Sequence, residues 1–381
     1  MICTTEKMIA GGFCLSHTDS GKAVFIPFTL PNERVEIEIV SEHRDYLVAR
    51  AVQICATSPH RITPQCPYFG RCGGCSLQMA DADYQRELRL AILQDILLRA
   101  HVTPERPIQV VAGPDWGYRS RFQFHCTEDG KIGLKKESEN TVIPITDCPV
   151  AVPEIRNALQ HDMFAECLSG NSEKDRLHVF AYNNTVWHES EKIVCSIEIL
   201  SKCIKFDVRG FFQSNMTMLA KLIPAVYDGI SPGERLLDFY AGVGTFSLFA
   251  NSYFKKVVLV EHNRNALTMA KQNITASVMS KTGLQSSFFD IRDEKWPKSD
   301  GAKLSYDVAI IDPPRQGIHS KTLQWFVSSD IPCIRYVSCD PVTFARDASK
   351  LVSGGYRLQK IILFDFYPQT HHIETLGYFT K

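Results

Sequence analysis

No run of roughly 18 apolar residues exists in this chain, so the simplest means of crossing a bilayer, an apolar helix, is missing. Met1 to Leu15 lack both the charged start and the long apolar stretch of an export signal. The expectation is a cytoplasmic protein with no membrane partner. Net charge is absent too, with lysine plus arginine matching aspartate plus glutamate at 42 each. Bulk charge therefore gives no support for a nucleic-acid partner. Any basic face would have to be assembled by folding, around Arg119, Arg121, Lys131, Lys135 and Lys136. There is no internal repeat and no low-complexity tract.

What is present is length and core material. At 381 residues and 44% hydrophobic, the chain exceeds one ordinary core and should divide into two or three domains. Residues 1–60 carry short β-rich pieces at Ala23–Ile26, Val35–Ile39 and Tyr46–Val52, parted by turn residues at Ser20-Gly21 and Pro31-Asn32, as a small OB-like β-barrel would. Ser58-Pro59-His60 and Thr63-Pro64 interrupt regular structure and mark a linker. Residues 61–210 read as α+β: a helix over Asp81–Arg99, then strands around Arg121–Cys126, Leu177–Tyr182 and Ile193–Leu200. Residues 211–381 change to strands alternating with helices. Leu236–Phe239, Val257–Val260, Val308–Ile311 and Ile334–Val337 are successive parallel strands, closed by an antiparallel pair at Lys360–Phe366 and Ile373–Phe379.

In that last segment Leu236-Leu237-Asp238-Phe239-Tyr240-Ala241-Gly242-Val243-Gly244-Thr245 reads as a strand entering a glycine turn and a helix, the usual cradle for an adenosyl cofactor. Ser247 stands where a nicotinamide fingerprint would have its third glycine. Glu261 follows Gly242 by 19 residues, the spacing at which an acid meets ribose hydroxyls. Asp312, in Ile311-Asp312-Pro313-Pro314-Arg315, lies at a strand end, where open α/β sheets place their ligand crevice.

Cys339, in Ser338-Cys339-Asp340-Pro341, and Glu374, 35 residues later in His371-His372-Ile373-Glu374, supply a soft nucleophile and a candidate base. A lone cysteine is more often a small buried apolar residue. Beside an adenosyl cradle, however, the pair suits methyl transfer to carbon. Carbon 5 of uracil is a poor nucleophile until a thiolate adds at carbon 6, and a base must then remove the carbon 5 proton.

The chain has 13 cysteines and no export signal, which favours metal ligation or thiol chemistry over a disulfide framework. Cys66, Cys72 and Cys75 lie close together among glycines, and Cys148, in Asp147-Cys148-Pro149, follows 73 residues after Cys75. Four thiolates suit tetrahedral zinc or an iron–sulfur cluster. A zinc ribbon would more naturally carry two Cys-x-x-Cys knuckles, and this chain has one.

These motifs together resemble the RNA 5-methyluridine methyltransferases, especially the iron–sulfur-containing ribosomal branch with an N-terminal TRAM domain. The resemblance covers nearly the whole chain. It implies a TRAM-like barrel over 1–60, a central RNA-binding domain with a [4Fe-4S] cluster over 61–210, and a Rossmann-like methyltransferase domain over 211–381. Phe211-Phe212-Gln213-Ser214-Asn215 matches the family's Phe-x-Gln-x-Asn segment. The resemblance further implies contacts to S-adenosylmethionine from Gln213, Tyr240, Thr245 and Glu261, Asp290 near the adenine, and Asp312 beside the methionine or target base. Cys339 takes the nucleophile's place, Glu374 the base's, and Cys66, Cys72, Cys75 and Cys148 those of the cluster ligands. Ser-Cys-Asp-Pro replaces the commoner Ser-Cys-Asn-Pro, and Thr245 stands where asparagine is frequent. The implied partner is 23S ribosomal RNA, met by a monomer. Transfer RNA is the alternative substrate, and a non-catalytic RNA-binding protein of the same fold is the alternative class. An amino methyltransferase built on Asp312-Pro313-Pro314 would need an aromatic where Arg315 stands.

Overall fold

The structure, a computed structural model, describes residues 1–136, 140–164, 176–191, 193–278, 285–290 and 305–381, with only the backbone of 276–278 and 285–290.

The N-terminal segment forms six strands, β1 (Ile2–Thr4), β2 (Lys7–Met8), β3 (Phe13–His17), β4 (Ala23–Pro27), β5 (Arg34–Glu42) and β6 (Tyr46–Ala56), in the order β1-β5-β6-β4-β3-β2. Alternation along β4, β5 and β6 turns Val24, Ile26, Val35, Ile37, Leu47 and Ala49 into one small core. The expected barrel is a sheet curled until β3 reaches β1, where Ser16 Oγ donates to the Thr4 carbonyl at 2.8 Å. The segment expected to be a linker is pinned instead. Buried Glu33 accepts from the Ser58 N–H and from the Arg61 guanidinium, tying residues 58–61 to the sheet.

Helix α1 (Ala82–Arg99) starts where Asp81 Oδ1 accepts from the Tyr84 N–H at 2.9 Å, an N-cap that satisfies one orphan donor. Its buried face, Leu88, Ile92, Leu93 and Leu97, packs in one cluster with Leu237, Phe239, Ala348 and Leu351 of the C-terminal segment. Strand β7 (Gln109–Val111) joins the C-terminal sheet. A separate five-stranded sheet, ordered β10-β9-β8-β11-β12, comprises β8 (Arg121–Cys126), β9 (Ile132–Lys135), β10 (Val142–Pro144), β11 (Arg176–Tyr182) and β12 (Thr185–His188), and is covered by α2 (Pro153–Gln160). The hairpin β13 (Val194–Ile199) and β14 (Lys202–Asp207) returns to the C-terminal body, where Asn273 bonds both the N–H and the carbonyl of Lys205.

Residues 61–210 are therefore not one packing unit. Segments 82–111 and 194–207 bury their apolar faces against the C-terminal sheet, and only the stretch between them has its own core. Cores form by apolar contact, and contact disregards order along the chain.

After α3 (Met216–Tyr227) the sheet strands are β15 (Gly233–Phe239), β16 (Phe254–Glu261), β17 (Gln285–Asp290), β18 (Val308–Ile311), β19 (Cys333–Ser338), β20 (Arg357–Phe364) and β21 (Glu374–Thr380). Their order is β17-β16-β15-β18-β19-β21-β20-β7. The first five are parallel, and β21 runs antiparallel between β19 and β20, as the sequence predicts for the closing pair. Helices α4 (Arg264–Val278), α5 (Ser320–Ser328) and α6 (Pro341–Ser353) connect the strands.

Candidate active site

The glycine turn leaves β15 as expected. Gly242 and Gly244 have φ of +56° and +80°, and Tyr240 reaches +64° without being glycine, a strained backbone of the kind found at ligand sites. The helix expected next is only a six-residue 3₁₀ turn, Ser247–Ser252. Phe249 and Tyr253 donate to carbonyls three residues back, at Phe246 and Ala250, and Tyr227 Oη takes a second share of the Phe246 carbonyl at 2.7 Å. Ser247, in the place of the missing glycine, donates its hydroxyl to buried Asp238 Oδ2 at 2.5 Å. Burial raises the Asp238 carboxyl to about 6, and its Oδ1 has no partner among the described residues.

Glu261, at the end of β16, holds the turn: Oε2 accepts from the Gly242 N–H at 2.8 Å and Oε1 from the Asn263 N–H at 2.7 Å. Oε1 also meets His262 Nδ1 at 2.9 Å, while Oε2 keeps a lone pair for a ligand hydroxyl. Gln213 is buried, and its Oε1 has no partner among the described residues, an acceptor awaiting a donor. Gln213, Tyr240, Thr245, Glu261 and Asp312 line one cavity of about 1130 Å³. A glycine-lined turn, a carboxylate and an orphaned amide are a donor and acceptor set that fits an adenosyl cofactor. The side chain of Asp290 lies outside the described residues; its backbone pairs with Glu261 at the end of β17.

Cys339 and Glu374 open on the same cavity. Cys339 follows β19 directly, and Asp340 then caps α6, accepting from the Thr343 N–H at 2.8 Å ahead of Pro341. Asparagine would cap equally well, so Asp340 preserves this local geometry. Ser338 and Thr375 are rung partners of β19 and β21, which sets Cys339 against Glu374 one position further on. Burial, then Glu374 and Asp312, push the Cys339 thiol up to about 12. Burial and Asp312 likewise hold the Glu374 carboxyl well above the usual range, and burial, Asp238 and Glu261 raise Asp312 to about 7. Both groups are thus displaced toward their protonated forms, and each must give up its proton before it can act as nucleophile or base.

Sequence reasoning missed what holds Glu374. The segment from Asp365 to Ile373 enters β21 beneath a clamp from the preceding segments. Arg89 donates to Asp365 Oδ1 at 2.7 Å and to the Thr370 carbonyl at 2.9 Å. Gln85 exchanges two hydrogen bonds with Gln369, and Tyr118 Oη donates to the Pro368 carbonyl at 2.7 Å. The Ser76 and Leu77 N–H groups both donate to the Gln369 carbonyl at 3.0 Å. Tyr367 and His372 line the cavity beside Cys339. The sequence signal for them was only a Tyr-Pro break and a histidine pair.

The four cysteines are unbridged and near enough to act electrostatically on one another. Burial raises all four thiols, Cys75 to about 12 and Cys148 to about 11. Smaller effects within the set raise Cys72 through Cys66, Cys75 through Cys148, and Cys148 through Cys72. The Cys66 N–H donates to Gln78 Oε1, and the Gly73 N–H to the Lys135 carbonyl, fixing the loop against the five-stranded sheet. The donor chemistry fits a thiolate-bound metal. Among the described residues, no three His, Cys, Asp or Glu side chains converge closely enough to hold a metal ion. Nor is any described helix long and apolar enough to cross a membrane.

Comparison with known proteins bears on the family and the fold. An "Uncharacterized RNA methyltransferase" of Treponema denticola is 42% identical, across 100% of this chain and 99% of its own. One of the same name from Thermotoga maritima is 30% identical over 97% and 96%. The 23S rRNA (uracil(1939)-C(5))-methyltransferase RlmD of Shewanella sediminis is 29% identical over 94% and 91%. Among solved structures, the Pyrococcus abyssi tRNA (uracil-54, C5)-methyltransferase in complex with S-adenosyl-L-homocysteine shares the fold, with a TM-score of 0.74 at 22% identity over 99% of this chain and 100% of that one. The profile of the tRNA (uracil-5-)-methyltransferase family matches residues 150–381, well over half of the sequence, and the chain belongs to that family.

Proposed function

We propose that this protein methylates carbon 5 of a uridine in 23S ribosomal RNA, with Cys339 as nucleophile and Glu374 as base. The observation that carries the reading is the facing of Cys339 and Glu374 at the ends of β19 and β21, in the cavity that the glycine turn also lines. S-adenosylmethionine, when bound, supplies the methyl group as a sulfonium; Gln213, Tyr240, Thr245, Glu261, Asp290 and Asp312 are the residues proposed to hold it. Cys339 gives up its thiol proton to solvent, Sγ as thiolate forms a bond to carbon 6 of the uracil, and the electron pair displaced from the ring double bond makes carbon 5 nucleophilic. Once carbon 5 is methylated, Glu374 takes its proton, the ring double bond re-forms, and the Cys339 thiolate leaves.

A base paired in folded RNA must first leave its stack. The N-terminal sheet, acting as a TRAM domain, and the five-stranded sheet hold the RNA. Cys66, Cys72, Cys75 and Cys148 hold a [4Fe-4S] cluster whose role is structural or RNA-binding. The protein works in the cytoplasm as a monomer. The relative named for 23S ribosomal RNA supports this substrate through its coverage of 94% of the chain, which extends well beyond the family-profile match.

Transfer RNA is the second reading, favoured by the likeness over 99% of the chain to the Pyrococcus abyssi fold. Mapping 5-methyluridine in ribosomal and transfer RNA from cells with and without this protein separates them. Loss confined to a ribosomal uridine supports the first reading, and loss confined to transfer RNA overturns it.

A further inference from the structure

The cavity is electrically divided. Glu261, Asp312 and Glu374 place carboxyls along the wall built by the C-terminal sheet. The remaining wall carries cations, and not all of them are neutralised. Arg209 is paired with Asp207 at 2.6 Å, and Lys135 donates to Asn140. Arg119, Arg121 and Arg315 also line the cavity, and none of them meets a carboxylate among the described residues.

Arg121, the first residue of β8, donates through Nη2 to the Gly210 carbonyl at 2.8 Å, and its Nε is buried with no partner among the described residues. Arg119 donates through Nε to the Arg121 carbonyl at 3.1 Å and lays its guanidinium 4.5 Å from the Phe122 ring centre. Two guanidinium groups side by side, one with an orphaned N–H, are costly until an anion satisfies them. Burial and the nearby Arg119 lower the proton affinity of Arg121, the direction expected of a cation without its counter-charge. Arg315 follows Asp312-Pro313-Pro314 and acts electrostatically on both Cys339 and His372. The cationic wall also runs past Phe211, which is 73% exposed and presents a ring on which a base can stack.

We propose that Arg119, Arg121 and Arg315 form a phosphodiester clamp that grips the RNA backbone around the target nucleotide while its base enters toward Cys339. The inference rests on reading this cavity as an RNA uridine site. The clamp assigns the cations of a neutral chain to a local task, phosphate recognition, for which planar guanidinium forks are suited.

The test is the salt dependence of binding of a fluorescent short oligouridylate to the full-length protein. Arg119→Gln, Arg121→Gln and Arg315→Gln should each weaken binding and reduce the slope of log K against log salt by about 0.7, the value for one single-strand phosphate contact. Arg121→Lys should retain the slope, and S-adenosylmethionine binding should be unchanged in every variant. If Arg121→Gln fails to fold, the variants at Arg119 and Arg315 carry the same test. Unaltered slopes overturn the clamp while leaving the methyltransferase reading intact. Weakened cofactor binding with unaltered RNA slopes also overturns it, assigning the arginines to the cofactor's carboxylate. A parent protein that binds no RNA overturns the reading of the site, and the clamp with it.

Discussion

Cys339 stands across from Glu374 because β21 inserts antiparallel between β19 and β20, continuing the rung made by Ser338 and Thr375. The antiparallel insertion brings the thiol and the carboxyl to the mouth of an otherwise parallel sheet, beside the cofactor turn.

Substitution at each of the two residues should arrest the reaction at a different stage. Cys339→Ala should abolish methylation while retaining S-adenosylmethionine binding. Glu374→Gln should still allow addition and methylation but slow product release by about 10²–10⁴-fold, the usual worth of a positioned base. A covalent, methyl-labelled protein–RNA band should therefore accumulate on denaturing gels and disappear in the double variant. A Glu374→Gln enzyme that turns over at the parental rate assigns proton removal to another group.

Acidity in the cavity predicts two pH effects. Cys339 and Glu374 are both raised, with Asp312 contributing to each, so the methylation rate should climb as pH rises through neutrality. Asp312→Asn removes that neighbouring negative charge, and its rise should lie at lower pH. Asp312 itself is raised from 3.8 to about 7, so the folded state binds its proton more tightly than the unfolded state does. Its contribution to stability is whole below the unfolded value and is lost as pH rises through the folded one. Without cofactor, the melting temperature of Asp312→Asn should exceed the parent's by a margin that widens between about pH 5 and about pH 8. A constant margin contradicts the assignment.

The thiol set predicts metal content. Protein purified without oxygen should be brown and hold about four irons per chain, as a four-thiolate [4Fe-4S] cluster requires. Serine at Cys66, Cys72, Cys75 or Cys148 should bleach it and lower the stability of the five-stranded sheet more than that of the cofactor turn, as followed by hydrogen exchange. One equivalent of zinc and no iron decides for a structural zinc site.

Arg89 and Asp365 form a buried ion pair with side chains 1% and 0% exposed, at the root of the segment that delivers Glu374. Arg89→Met leaves the carboxylate with only the longer contact from Arg86 Nη1, 3.4 Å from Oδ2, and should cost about 3 kcal/mol, the low end for breaking a buried pair, read from denaturant unfolding. Adding Asp365→Asn should recover part of that loss. A near-neutral single variant contradicts the role given to the clamp.

The local elements were written in the sequence. Helix α1 follows from its apolar spacing, and the turn at Gly242 and Gly244 from glycines that let the backbone take positive φ. Those signals lie within a few residues of each other, so they survive without knowledge of the fold. The four cysteines and the Cys339–Glu374 pair were legible as chemistry, because few residue types perform it. Only tertiary structure decided that α1 and the β13–β14 hairpin pack with the C-terminal sheet, that Gln85 and Arg89 grip a segment more than 270 residues later, and that three arginines of a neutral chain line one cavity without an acid partner among the described residues. These outcomes depend on which apolar surfaces meet and which charges are thereby buried together. That is a property of the packed chain as a whole, which no local pattern encodes.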